Sequence, residues 1–186
     1  MTGGKLATVA TMLGAMLWMM PSALAAQDAG MHGHQDAPPP CAAPAALPQG
    51  LQGWANAASA LTMAGSAQDA RAETVTVGTV YDMGLKPTST LRYAVTPRKL
   101  PDQAGFGGLA AFHVARPGRY QVVQDGHAWV DVIGAGKALA SAGHGHGLPC
   151  SGITKMVAYD LAPGRYVLQV AGNGRATLKV MIVPVG

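Results

Sequence analysis

Apolar and polar residues alternate with a period of two from Glu73 to the end of the chain, in runs bounded by Gly, Pro and Asp. This alternation is typical of half-buried β-strands. It predicts eight strands, over residues 74–80, 90–95, 109–115, 120–124, 128–133, 156–161, 166–171 and 176–183. Short strands with turns between them and no long helical pattern favour an all-β fold, an antiparallel β-sandwich or jelly roll.

One tetrapeptide, Pro-Gly-Arg-Tyr, occurs at residues 117–120 and again at 163–166. Because proline fixes φ and glycine permits a tight turn, each copy predicts a turn followed by a strand that opens with Arg outward and Tyr inward. We expect two equivalent hairpins. This strand entry is similar to that of secreted β-sandwich modules of the prepeptidase C-terminal type, which implies the same architecture.

The N-terminus has the three parts of a secretory signal. Lys5 supplies a positive charge, residues 6–20 form an apolar run, and Ala-Leu-Ala at 23–25 is a cleavage site of the A-x-A type. The apolar run is shorter than the roughly 20 residues of a membrane span. We therefore expect a signal peptide over residues 1–25 and a periplasmic or secreted mature protein with no membrane span.

Residues 26–72 are dominated by Ala, Pro, Gly, Gln and Asp, and predict a poorly packed Ala/Pro-rich arm ahead of a β-sandwich domain over residues 73–186. Within the arm, apolar residues recur at spacings of three and four. They are Leu51, Trp54, Ala55, Ala58 and Leu61. This spacing fits either one short amphipathic helix or an apolar strip that lies on the domain.

Charged residues make up 12% of the chain, and the net charge of +4 is scattered along it. With 49% hydrophobic residues, this composition excludes a disordered chain and argues against nucleic-acid binding by a basic stripe. The sequence contains no Gly-x-Ser-x-Gly motif, and Ser141 and Ser151 have no neighbours that would activate them. No catalytic residue is therefore predicted from a motif.

The chain has two cysteines, Cys41 and Cys150. In an oxidising compartment an even number of thiols favours pairing, so we expect a disulfide between them. The bond would close a loop of roughly 110 residues and, in the chain-entropy model, stabilise the fold by about 4 to 5 kcal/mol.

Four of the six histidines form two copies of His-Gly-His, with His32 and His34 in the first copy and His144 and His146 in the second. Residues two apart in an extended segment point the same way, so each tripeptide can offer two imidazoles to one ion. Each tripeptide lies a few residues before a cysteine, and the disulfide would bring the two within reach of a common point. These residues predict a Cu or Zn site, with a solvated polar loop as the alternative.

Several motifs carry a resemblance to a known family. They are Trp-Val-Asp-Val at 129–132, Leu-Ala-Ser at 139–141, His-Gly-His-Gly at 144–147 and Pro-Gly-Arg-Tyr at 163–166, with Pro-Pro-Cys-Ala at 39–42 and Gly-Trp-Ala at 53–55. With these motifs the chain resembles a family of small exported bacterial proteins that carry the label homogentisate 1,2-dioxygenase. The resemblance implies a ring-cleaving oxygenase whose Fe(II) is held by two His and one Glu.

The iron site that the resemblance implies would use His144 and His146 as its His-x-His pair. Cys150 and Ser151 occupy the region where the carboxylate ligand is expected, so a distant residue such as Asp131 or Asp160 would have to supply it.

Three hypotheses for function follow. The first is a non-catalytic exported binding or accessory module that takes a transition metal through the two tripeptides. The second is an Fe(II) dioxygenase, and the third is a structural envelope protein whose exposed sheet edge docks on a partner protein.

Overall fold

The computed structural model describes residues 41–98 and 105–185. The predicted signal peptide, the first part of the arm and the tripeptide with His32 and His34 lie outside these residues.

Strands dominate the described residues, together with three short 3-10 helices. The strands are β1 (Ser59–Thr62), β2 (Thr74–Val75), β3 (Val80–Gly84), β4 (Lys86–Pro87), β5 (Phe106–Val114), β6 (Gly118–Gln124), β7 (Trp129–Gly134), β8 (Lys137–Ala138), β9 (Gly143–Gly145), β10 (Lys155–Leu161), β11 (Gly164–Asn173) and β12 (Thr177–Pro184). The helices cover Gln52–Ala55, Asp69–Arg71 and Thr88–Thr90. None of the helices in these residues is both long and apolar enough to span a membrane.

The strands form two sheets that pack as a β-sandwich, which confirms the predicted all-β class. The first sheet has the order β1-β3-β12-β6-β10-β9, and the second has the order β2-β5-β11-β7-β8, with β4 also paired to β5. Most neighbours are antiparallel, but β1 pairs parallel to β3 and β2 parallel to β5. The sheets are therefore mixed, because the two strands nearest the N-terminus join the edges in the parallel sense.

The central strands are apolar on both faces because the sandwich has three apolar layers, one between the sheets and one on the outer face of each sheet. Phe112 of β5 and Leu168 of β11 pack between the sheets with Ile182 of β12. Met181 of the same strand faces outward, where Trp54 covers it. Strands buried on both faces carry continuous apolar runs, which explains why the alternation weakens in β5 and β12.

The repeated tetrapeptide does not form hairpins, so that prediction is wrong. The first copy links β5 in the second sheet to β6 in the first, and the second copy links β10 in the first sheet to β11 in the second. As a result, β6 lies between β10 and β12, while β11 lies between β5 and β7. The three-strand units β5-β6-β7 and β10-β11-β12 thus interlock, each placing its middle strand between the outer strands of the other.

Each tyrosine of the repeat forms a hydrogen bond to the turn that carries the chain from one sheet to the other. The Tyr120 hydroxyl donates to the Arg116 carbonyl at 2.9 Å, and the Tyr166 hydroxyl donates to the Ala162 carbonyl at 2.9 Å. Both acceptors lie four residues before the tyrosine, in the turn that the chain has just left. This equivalence explains why Tyr follows Pro-Gly-Arg in both copies: its ring packs on the core while its hydroxyl satisfies a turn carbonyl.

Two predicted strands have a different structure. The run 74–80 is split into β2 and the start of β3, because Gly78 adopts a positive φ of 87° that a strand does not allow. Residues 90–95 do not form a strand, since the backbone N–H groups of Ala94 and Val95 donate to the side chain of Gln169 at 2.8 and 3.3 Å. The buried side-chain amide of Gln169 thus takes the place of a neighbouring strand as the hydrogen-bond partner of this segment.

The described part of the Ala/Pro-rich segment packs on the sandwich. Its residues 59–62 form β1 of the first sheet, and Trp54 is 3% exposed on the outer face of that sheet. The Lys179 ammonium lies 4.8 Å from the centre of the Trp54 ring. The apolar spacing therefore forms a strip with a single 3-10 turn, which was one of the two alternatives.

Cys41 and Cys150 form the predicted disulfide, with their Cα atoms 5.6 Å apart. The Ala45 N–H also donates to the Cys150 carbonyl at 2.9 Å. These two links attach the segment after residue 40 to the loop between β9 and β10.

We expect the double variant Cys41→Ser/Cys150→Ser to lose up to about 4 to 5 kcal/mol of unfolding free energy, because the disulfide closes a long loop in the unfolded chain. Chemical denaturation of the oxidised protein and of the variant measures this loss, and wild type in reductant is the control. Free thiols in the unreduced wild type, or equal stability of the two proteins, would contradict the expectation.

Candidate functional site

The start of β7 has an edge that no strand covers in the described residues. Strand β8 pairs only with Ile133 and Gly134 of β7, and Leu139 adds one further bond to the Val132 carbonyl. After that point the chain crosses to β9 in the other sheet. Side chains of the first sheet take the place of the missing strand.

Two carbonyls along this edge accept bonds from β10 side chains. The Tyr159 hydroxyl donates to the Val130 carbonyl at 3.0 Å, and the Lys155 ammonium donates to the Ala128 carbonyl at 3.0 Å. Burial and the nearby negative charge of Asp131 raise the pKa of Tyr159, so the phenol stays protonated and remains a donor. Buried backbone carbonyls need such partners. Because two side chains fill less space than a whole strand, a gap remains beside the start of β7.

This gap is a cavity of about 470 Å³, which we call the edge cavity. Its volume is within the range of small-molecule sites. Its polar lining consists of Arg98, Trp129, Asp131, Ser141, His144, Lys155 and Tyr159.

Asp131 is the one buried acidic side chain in the described residues, with 6% of its surface exposed. Burial raises the pKa of Asp131, since removing the carboxylate from water disfavours its charged form. The Gln169 amide, which donates to the carboxylate over 3.4 Å, and the positive charges of Arg98 and Lys155 partly offset this rise. The Trp129 indole N–H also opposes it, although its geometry is not that of a hydrogen bond.

Gln169 fixes the position of two parts of the site. It lies opposite Asp131 in the pairing of β11 with β7, and its amide holds the loop at Ala94 and Val95. That loop continues to Arg98, which lines the cavity.

Four residues of this site, Arg98, Lys155, Tyr159 and Gln169, were not predicted from the sequence. The available signal was Gln169, a polar residue in an otherwise apolar strand that demands a partner.

The second His-Gly-His tripeptide begins on β9, the edge strand of the first sheet, and ends one residue after it. His144 pairs with Val157 of β10 and reaches the mouth of the edge cavity. His146 follows two residues later, and its Nδ1 lies 3.0 Å from the Thr154 carbonyl oxygen. A carbonyl can only accept, so Nδ1 donates to it, and in the neutral ring Nε2 then has a free lone pair.

The remaining candidates lie elsewhere. His113 and His127 are exposed, the former on β5 between two buried residues. Asp160 forms a two-point ion pair with Arg119, at 2.8 and 2.9 Å. Of the two carboxylates suggested for an iron site, Asp131 shares a cavity with His144, and Asp160 is occupied by its arginine.

The described residues do not fit an Fe(II) triad. Among residues 41–98 and 105–185, no three His, Cys, Asp or Glu side chains come together as metal ligands. Asp131 has cationic neighbours in Arg98 and Lys155, which oppose binding of a metal cation beside it. The imidazoles of His144 and His146 are a different donor set, and imidazole suits Cu(II) and Zn(II).

Comparison with known proteins finds no family model and no curated protein that the sequence matches. The site is therefore interpreted from its own chemistry.

We expect Asp131→Asn to remove a pH-dependent penalty on stability. The folded protein holds the Asp131 proton more tightly than the unfolded chain does. Ionisation of Asp131 therefore lowers the free energy of unfolding as the pH rises from the ordinary pKa of 3.8 through the raised value. The Asn variant should gain in unfolding free energy relative to wild type between pH 4 and pH 7, as measured by urea titration.

Asp160→Asn is the matched control, with the opposite sign. The guanidinium of Arg119 lowers the pKa of Asp160, so its contribution to stability is present above the ordinary pKa and is lost as pH falls. Parallel pH profiles for the two variants would show that the environment assigned to Asp131 is wrong.

Proposed function

We propose that this protein is a non-catalytic binding module of the periplasm or cell exterior that takes a transition-metal ion, Cu(II) or Zn(II), through His144 and His146. The signal-like N-terminus supports export, and the disulfide is compatible with an oxidising compartment.

The observation that carries the proposal is the arrangement of the imidazoles of His144 and His146 at β9 and just after it. Both are exposed: His144 lies on the edge strand β9 and His146 follows directly after it, at the spacing of two that places side chains on one side of an extended segment. Histidines that bind metals commonly donate their second ring N–H to a carbonyl, which fixes the tautomer and orients the ring. His146 makes this contact with Thr154, which leaves Nε2 ready to bind an ion.

The proposed donor set contains imidazoles and excludes Asp131. A cation close to that carboxylate would also lie close to Arg98 and Lys155, which share the cavity. We therefore place the ion at the exposed imidazoles of His144 and His146, with water or further imidazoles as the remaining ligands. The sequence-based hypothesis that His32 and His34 supply such ligands concerns residues outside the described part of the chain, and variants of both histidines test it.

Titration of tag-free, metal-stripped protein with Cu(II) and Zn(II), followed by calorimetry, tests the proposal. Wild type should bind one ion, and His144→Ala/His146→Ala should lose this binding. If the first tripeptide completes the site, His32→Ala/His34→Ala should weaken binding by roughly 100-fold or more, the usual gain from linking two binding groups.

His113→Ala/His127→Ala is the matched control, because it removes two exposed imidazoles from other surfaces. It should bind the ion as wild type does, and so should Asp131→Asn. Equal affinity of the control and the His144/His146 variant would contradict a specific site. Loss of binding in Asp131→Asn would favour a mixed carboxylate and imidazole site, and would contradict the donor set proposed here.

A further inference from the structure

A second concave site lies on the outer face of the second sheet, and neither His144 nor His146 lines it. This groove has a volume of about 440 Å³, and we call it the outer groove. Its floor is formed by Ala111 of β5, Val167 of β11 and Ile133 of β7. Ala67 and Ala94 from the preceding loops close one side. The floor is therefore apolar and built mainly on strands.

Two guanidinium groups line the outer groove, those of Arg71 and Arg165. Both arginines are exposed, and within the described residues neither makes an ion pair or a side-chain hydrogen bond. No Asp or Glu is among the described residues that line the groove. The groove thus combines an apolar floor with two positive charges that have no counter-charge among the described residues lining it.

The repeat supplies an internal comparison for Arg165. Its equivalent in the first copy of Pro-Gly-Arg-Tyr is Arg119, which faces Asp160 across the strand pair and binds both oxygens of that carboxylate. Arg165 occupies the same place in the second copy, but its cross-strand neighbour is His113. The arginine at this position of the repeat is thus placed to hold a carboxylate, and at Arg165 the described residues supply none.

We infer that the outer groove binds a small aliphatic carboxylic acid, with its carboxylate on Arg165 and Arg71 and its chain on the apolar floor. Arginine is suited to this role because its planar fork matches the two oxygens of a carboxylate. The floor of Ala, Val and Ile selects an acid with a hydrocarbon body over a small inorganic anion, because burying apolar surface adds to the affinity.

Octanoate is the test probe, titrated into the full-length protein and followed by calorimetry and by amide chemical shifts. One molecule should bind per chain and shift the amides of Ala111 and Val167. Octanamide has the same hydrocarbon chain without the charge, and acetate has the charge without the long chain. Each should bind at least about tenfold more weakly than octanoate.

Arg165→Gln and Arg71→Gln should each weaken octanoate binding about tenfold, the usual effect of losing one charge-assisted contact. Arg119→Gln is the matched control, since it changes the equivalent arginine of the other repeat, and it should bind as wild type does. His144→Ala/His146→Ala should also bind normally, so this result is separable from the proposed metal site.

All of these side chains are exposed, so the variants should keep the thermal midpoint of wild type within a few degrees, and unfolding does not complicate the comparison. Three results would each overturn the inference: no saturable binding of octanoate, equal affinity in Arg165→Gln and wild type, or equal affinity for acetate and octanoate, which would mean an adventitious ion only.

Discussion

The interlock of two three-strand units is the constraint on which the rest of the structure depends. Strand β6 can be a middle strand only if β10 and β12 flank it, and β11 only if β5 and β7 flank it. Neither unit can complete its sheets without the other. The repeated turns set this arrangement, because each carries the chain across the sandwich and each is held by a tyrosine hydroxyl four residues on.

Both candidate sites occur where the two units cease to be equivalent. The outer strand β12 of the second unit has β3 along its other side, whereas the described residues give its counterpart β7 only the short β8. The edge cavity fills the uncovered part of β7. The outer groove reflects the second difference, since Asp160 faces Arg119 in one copy while His113 faces Arg165 in the other. Both sites thus lie at positions that are equivalent in the two units but have different partners.

Sequence patterns predicted the sandwich, the disulfide and six of the strands, because these depend on local alternation and on the pairing of two thiols. The split at Gly78 and the irregular loop at Ala94 were not predicted, since they depend on one backbone angle and on the distant side chain of Gln169. The hairpins were mispredicted because a Pro-Gly turn specifies a reversal of the chain but not the sheet that receives the next strand.

The same limit applies to the candidate site. The His-Gly-His tripeptide is visible in sequence, because two imidazoles at a spacing of two need only an extended backbone. The neighbours that decide its chemistry are not visible. Arg98 reaches the edge cavity through a loop held by a residue 71 positions further along the chain, and Lys155 reaches it from the opposite sheet. Contacts between distant segments, rather than motifs, make the surroundings of Asp131 cationic.

Gln169 connects these features through its hydrogen bonds. Its Oε1 accepts the N–H groups of Ala94 and Val95, while its Nε2 donates to the Val95 carbonyl at 2.9 Å and to Asp131. The amide therefore satisfies the loop that borders the outer groove and, through the same nitrogen, the carboxylate of the edge cavity. An apolar residue of similar size would fill the space but leave two backbone N–H groups without partners, and such groups cost about 1 to 3 kcal/mol each when buried. A single polar residue in a buried strand thus supports both concave sites, and this explains its place in an otherwise apolar run.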